Sequence, residues 1–186
     1  MTLWRAPLRF GSLLVRQQRW LTVTVAKRKA VSPSRARRPG RSAAVTDVPA
    51  IRYIESSALV AALLEGDASA KASIRVRGQR VTSAITVAET SRAVLRAQLS
   101  GRITVQQQRA ALLTLRRFAR RCHIVSVTEA ILAHAGRRFP AEPIRTLDAI
   151  HLATAAALGE PPALVIVVSR DRRVRDNAAA LGHHVE

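Results

Sequence analysis

Five carboxylate residues stand where predicted strands give way to predicted helices. They are Glu55, Glu89, Glu129, Asp148 and Asp171, out of only eleven acids between residues 51 and 186. The carboxyl ends of parallel strands form one edge of a sheet, so acids from separate strands can converge there. A carboxylate buried at that edge needs water, a cation or a backbone donor, because burying an unpaired charge costs several kcal/mol. Periodicity alone does not decide which of the five acids share a site.

Each junction acid also has a purely structural interpretation. Acids in the first turn of a helix interact favourably with the helix macrodipole, by about 0.3–1 kcal/mol. The pair Thr86 and Glu89 has the spacing of a capping box. Asp148 and Asp171 each follow a Thr or a Ser by two residues and fit the same interpretation. Taken one at a time, these acids are explained by helix starts alone.

Glu55 is harder to explain in this way. It precedes Ser57, which is the predicted cap of the next helix, and is therefore expected at the end of a strand. The Ser57 hydroxyl could orient the Glu55 carboxylate, and the alternative for this serine is a simple N-cap. A strand-end carboxylate without a helix to stabilise requires some other partner.

The elements that must position these acids alternate between short β-rich runs and longer helical runs, which is typical of a parallel sheet wrapped by helices. Strands are predicted at 51–54, 81–85, 122–127 and 163–168, with a short fifth one at 183–185. Helices are predicted at 57–66, 68–77, 87–101, 105–120, 129–139, 147–159 and 172–182. Glycines stand at the expected helix ends, Gly66, Gly101, Gly159 and Gly182. The predicted fold class is α/β: a three-layer α/β/α sandwich around a central, mostly parallel sheet of four to five strands.

The charge distribution divides the chain near Pro49. Residues 1–50 hold 11 Lys or Arg against one acid, whereas the remaining residues hold 20 against 11. We predict a basic extension over 1–50 and a folded domain over 51–186. The start of the extension resembles an organelle transit peptide or a basic membrane-surface helix, and the alternative is a disordered basic tail.

The net charge of +19 favours a polyanionic partner, with nucleic acid first and an anionic membrane second. No apolar run approaches the roughly 20 residues that span a bilayer. The single cysteine, Cys122, excludes an intramolecular disulfide and a cysteine-based zinc site within this chain. A reducing, cytoplasmic setting is expected.

Four stretches, in chain order, resemble the PIN-domain ribonucleases and in particular the VapC toxins of toxin–antitoxin pairs. They are YIESSALV at 53–60, TSAITVAE at 82–89, RTLDAIHLATA at 145–155 and VVSRDRRVRDNAAALG at 167–182. The third is the most specific, because it closely matches the family's helix that bears the third acid. The resemblance spans residues 51–186 and leaves residues 1–50 outside it.

The resemblance implies a metal-dependent endoribonuclease. The catalytic acids would be Glu55, Glu89, Asp148 and Asp171, and the first, third and fourth would hold Mg²⁺ or Mn²⁺, hard cations that prefer oxygen ligands. It also implies a homodimer, an RNA substrate and a VapB-like antitoxin whose tail enters the acidic pocket. Glu129 falls outside this set and is assigned to its helix dipole.

Three further residues or features bear on this expectation. Asp176 is a weaker site candidate, with a solvated helix face as the alternative. His151 lies one turn after Asp148 and could touch the site, although a packed histidine is favoured. The family has Asp where this chain has Glu55, whose extra methylene must be accommodated in a metal site with strict geometry, so activity would be reduced, shifted toward Mn²⁺ or lost.

Two other classes of protein are alternatives to the nuclease. A catalytically weakened or inactive PIN-fold module that binds RNA or protein is the alternative that the substitution at Glu55 raises. A phosphate-transfer or nucleotide-binding α/β domain is disfavoured, because no glycine-rich phosphate loop follows any predicted strand.

Overall fold

Five parallel strands form the centre of the domain. The structure is a computed structural model that describes residues 51–186, and the predicted basic extension, residues 1–50, lies outside them. The strands are β1 (Ile51–Ile54), β2 (Gln79–Ser83), β3 (His123–Val125), β4 (Val165–Val168) and β5 (His184–Val185). Their order in the sheet is β3-β2-β1-β4-β5, and every neighbouring pair is parallel. Within the described range, no helix has the length and apolarity that a membrane crossing requires.

Seven α-helices connect the strands. They are α1 (Ser56–Leu64), α2 (Ala68–Arg75), α3 (Ala84–Leu99), α4 (Val105–Ala119), α5 (Glu129–Ala135), α6 (Thr146–Ala156) and α7 (Arg172–Ala180), and a 3-10 turn at Pro162–Leu164 precedes β4. The glycines predicted at the helix ends, Gly66, Gly101, Gly159 and Gly182, have φ between 71 and 90°. This left-handed conformation is the one that glycine adopts most readily at a helix C-terminus.

The two faces of the sheet carry different helices. Successive side chains of a strand point to opposite faces, so Tyr53 packs in a core cluster with residues of α6 and α7, whereas Ile54 packs with residues of α1 and α4. The core is aliphatic apart from Tyr53 and Phe139. The predicted three-layer α/β/α sandwich is confirmed.

Several predicted boundaries are wrong: the strands predicted at 122–127 and 163–168 and the helix predicted at 129–139 are shorter in the structure, and the strand predicted at 81–85 is shifted. The strand β2 ends at Ser83, and Ala84 and Ile85 are the first residues of α3. A short apolar run fits a buried strand and a buried helical turn equally well. The capping box is also wrong, because Ser83 is the N-cap of α3 and Thr86 lies inside its first turn.

A buried asparagine ties α7 to the loop that leads into α6. Asn177 is fully buried, and its Oδ1 accepts the N–H of Ala141 at 2.8 Å. Its Nδ2 donates to the carbonyl oxygens of Ala141 at 2.9 Å and Arg173 at 3.0 Å. Its partners on α7 and in the loop are backbone groups, so this one side chain links the two segments directly.

We expect Asn177→Ala to destabilise the protein by about 2 kcal/mol, because it removes hydrogen bonds to buried backbone groups without replacing them. Urea denaturation followed by circular dichroism measures the change. Asn177→Asp, which places a buried carboxylate against the carbonyl oxygens of Ala141 and Arg173, should destabilise the protein at neutral pH at least as much as Asn177→Ala does. An unchanged midpoint for Asn177→Ala would show that the loop is held by other contacts.

Candidate active site

The order of the strands creates a switch point at the carboxyl edge of the sheet. The chain moves outward from β1 to β2 and β3 on one side, and from β4 to β5 on the other side. In open parallel sheets, ligands bind outside the carboxyl ends of the strands at such a point. Glu55 directly follows β1, Glu89 lies in α3 after β2, Asp171 follows β4, and Asp148 lies in the first turn of α6.

Glu55 is the N-cap of α1, which corrects the prediction that Ser57 caps this helix. The Glu55 carboxylate Oε2 accepts the backbone N–H of Ser57 at 3.0 Å. It also accepts the hydroxyl of Ser57 and, at 2.9 Å, that of Ser169, while Oε1 accepts the hydroxyl of Ser56 at 2.6 Å. N-cap preferences favour serine over glutamate. They did not predict Glu55 as the cap, because one of the groups that hold its carboxylate, the hydroxyl of Ser169, comes from the segment that follows β4. Ser57 therefore does orient Glu55, as one of its two predicted roles required.

The same serines bring Asp171 beside Glu55. Asp171 is the N-cap of α7, and its Oδ1 accepts the N–H of Arg173 at 2.8 Å. The backbone N–H of Asp171 donates to the hydroxyls of Ser57 and Ser169, both at 3.1 Å. The acids that follow β1 and β4 thus share two hydroxyl groups.

Asp148 carries the clearest sign of a missing partner. Its Oδ2 is buried and has no hydrogen-bond partner among residues 51–186. Burial raises the pKa of this carboxyl above its usual range, and the nearby charges of Asp171 and Glu55 raise it further. An orphaned carboxylate oxygen beside other acids is suited to a divalent cation, which would satisfy the oxygen and offset the repulsion. The donor set consists of carboxylates and fits Mg²⁺ or Mn²⁺.

Glu89 joins the site through His151. The His151 Nε2 lies 2.6 Å from Glu89 Oε2 and 3.7 Å from Glu55 Oε1, and its Nδ1 lies 2.9 Å from the Tyr53 hydroxyl. His151 is only 1% exposed. It is both the packed histidine that the sequence favoured and a residue in contact with the acids. In the sequence, only its position one helical turn after Asp148 indicated that His151 could contact the site.

The remaining acidic candidates lie apart from this cluster. Glu129 is exposed in the first turn of α5, where it meets the helix dipole. Asp176 lies on α7, its side chain is 54% exposed, and it pairs with Arg172 at 3.3 Å. Asp176 therefore lies on a solvated helix face, which was the alternative to a place in the site.

A cavity of about 690 Å³ opens beside the acids. Its lining includes Glu89 and Asp171 together with Arg92, Arg96 and Arg170. Arg92 and Arg96 are exposed, and neither forms an ion pair within the described part of the chain. A cavity with acids at one part of its wall and free guanidinium groups at another can receive a phosphodiester, since arginine is a good donor to phosphate oxygens.

This combination defines a class of protein: a parallel α/β/α sandwich with clustered carboxylates at its switch point. Within that class, the chain belongs to the PIN-domain family, whose model matches residues 52–180. It is 39% identical to Ribonuclease VapC46 of Mycobacterium tuberculosis over 132 residues, which cover 70% of this chain and 92% of the relative. It is 34% identical to Ribonuclease VapC35 of the same organism over 133 residues, covering 69% and 90%. The resemblance to VapC-like proteins stated from the sequence motifs is confirmed.

The fold is also that of a solved structure. The protein in "Crystal structure of PAE2754 from Pyrobaculum aerophilum" superimposes with a TM-score of 0.51 and 16% identity, over 79% of this chain and 92% of that one. At this identity the likeness bears on the fold alone.

Proposed function

We propose that the protein is a divalent-metal-dependent endoribonuclease and the toxin of a toxin–antitoxin pair. The observation that carries the proposal is the convergence of Glu55, Glu89, Asp148 and Asp171 at the switch point, with one Asp148 oxygen buried and unpartnered. The names of the relatives, both ribonucleases, support the nuclease class.

Each acid has a role in this proposal. Glu55, Asp148 and Asp171 would hold the cation, and Glu89 would complete the acidic set. When bound, Mg²⁺ or Mn²⁺ lowers the pKa of a water molecule and offsets charge on the phosphoryl oxygens. Glu55 can reach the cation only through Oε1, because Oε2 already accepts three hydrogen bonds.

The arginines of the cavity would hold the RNA. Arg92 and Arg96 lie on the same face of α3 as Glu89, at helical spacings of three and seven residues. They would contact phosphates next to the scissile bond and so orient the strand over the acids. We further propose that the protein acts in the cytoplasm as a homodimer, and that a VapB-like antitoxin neutralises it by placing a cationic side chain among the acids.

The test is cleavage of a mixed RNA pool by the full-length protein in Mg²⁺, in Mn²⁺ and in EDTA. We expect cleavage with either cation and none in EDTA. The matched control is Glu129→Gln, which removes a junction acid outside the cluster and should cut normally. RNA binding without cleavage under all conditions would favour the alternative, a non-catalytic PIN-fold binding module.

A further inference from the structure

His151 occupies the space between the two glutamates of the site. The ligand atoms of Glu55, Glu89 and His151 all lie within 4.8 Å of one another, which raises the question of whether the histidine is itself a metal ligand. Two ligands of one cation, each about 2.0–2.2 Å from it, stand about 3 Å or more apart. The His151 Nε2 is 2.6 Å from Glu89 Oε2, which is the distance of a strong hydrogen bond and leaves no room for an ion between them.

The partners of His151 determine where its proton lies. Nε2 faces carboxylate oxygens, which accept hydrogen bonds, so Nε2 carries a hydrogen. Nδ1 faces the hydroxyl of Tyr53, which can donate to it. Tyr53 is fully buried, so no solvent competes with Nδ1 for its hydroxyl group.

Glu89 needs such a restraint more than Glu55 and Asp171 do. Glu55 is held by three serines, and Asp171 is fixed as a helix cap. Glu89 lies in the second turn of α3, its side chain is 24% exposed, and His151 is its only side-chain hydrogen-bond partner among residues 51–186. Ordering a free glutamate side chain costs rotamer entropy, which a fixed hydrogen-bond donor offsets in advance.

We propose that His151 is a positioning residue: its Nε2–H holds the Glu89 carboxylate beside Glu55, and the Tyr53 hydroxyl fixes the imidazole that does so. The inference rests on the proposed function and adds to it a pair of residues outside the acidic set. Because His151 binds one oxygen of Glu89, the other oxygen is left to face the site where Glu55, Asp148 and Asp171 would hold the cation. The histidine is a donor to Glu89 and is not a metal ligand.

Calorimetric titration of Mn²⁺ into the full-length protein, without RNA, tests the proposal. We expect His151→Leu to raise the Kd about 10- to 100-fold, the usual loss when a group that orients the acids around a metal site is removed. His151→Gln, whose amide can still donate to Glu89, should lose less. Tyr53→Phe should raise the Kd as well, although Tyr53 does not contact Glu89. The matched control is His183→Gln, which alters another buried histidine, bonded to the Pro162 carbonyl oxygen, and should leave the Kd unchanged.

A second measurement separates positioning from ligation. Pulsed electron paramagnetic resonance of the Mn²⁺ complex should detect no ¹⁴N coupling, and a coupling that disappears in His151→Gln would overturn the proposal. An unchanged Kd in His151→Leu and Tyr53→Phe, with only the melting temperature lowered, would also overturn it and leave the proposed nuclease intact. If wild type does not bind Mn²⁺ at all, both this inference and the proposed function fail.

Discussion

Asp148→Asn should reduce RNA cleavage by at least about 100-fold, the scale at which removing one preorganised charge at a reacting centre affects turnover. The substitution keeps the shape of the side chain and removes the charge that the cation requires. Initial rates on a single RNA substrate at saturating Mn²⁺ measure the effect. The wild-type protein and Glu129→Gln provide the reference rates.

The same variant should be more stable than wild type when no cation is present. The pKa of Asp148 is raised in the folded protein, so the folded state binds this proton more tightly than the unfolded state does. Stability therefore falls as the pH rises from the unfolded value of 3.8 through the folded pKa. Asp148→Asn removes this pH-dependent loss of stability. In EDTA, the melting temperature of the variant should therefore exceed that of wild type at pH values above the folded pKa, and the two should converge below pH 3.8.

Adding Mn²⁺ should reverse the order of the two melting temperatures, because a ligand that binds only the folded state stabilises it by an amount that grows with the ratio of ligand concentration to Kd. Wild type should gain stability with Mn²⁺ and Asp148→Asn should gain much less. A variant that loses activity and also loses stability in EDTA would indicate that Asp148 supports the fold, and it would contradict the assignment of this acid to the site.

The sequence predicted the fold because the fold depends on features that one chain segment carries by itself. The β-rich runs, the helical runs and the four cap glycines gave a parallel α/β/α sandwich, and they placed Glu55, Asp148 and Asp171 at the correct edge. The boundary at Ser83 failed because Ala84 and Ile85 are apolar, and an apolar dipeptide has no period.

The contacts of the site depend on segments that are far apart in the chain, and local patterns do not encode them. Glu55 receives a hydroxyl from Ser169, 114 residues away, and His151 reaches both Tyr53, 98 residues away, and Glu89, 62 residues away. Spacing placed His151 near Asp148 but gave no information on the other two elements. The role of a buried histidine therefore became visible only when β1, α3 and α6 were assembled.

We expect Glu55→Asp to lower both the stability and the activity of the protein, although the family resemblance gives Asp at this position. Shortening the side chain by one methylene withdraws the carboxylate by about 1.5 Å. Aspartate can still cap α1 through the N–H of Ser57, but it loses the contact with Ser169 and moves away from His151. The lost hydrogen bond to a charged group is worth about 1.5–3 kcal/mol. We expect a lower melting temperature and about a tenfold lower kcat/KM for RNA cleavage.

Comparing Glu55→Asp with Glu55→Gln shows whether the site is built around a glutamate at this position. Glutamine keeps the length but presents an amide where a carboxylate accepts four hydrogen bonds, so it should lose activity more completely than aspartate. A site built around glutamate predicts wild type above both variants in activity and in stability. Faster cleavage by Glu55→Asp would show instead that the surrounding serines fit the shorter acid, and that glutamate at this position is a handicap. Both quantities are needed, because a gain in activity with a loss of stability would mean that Glu55 is retained for the fold.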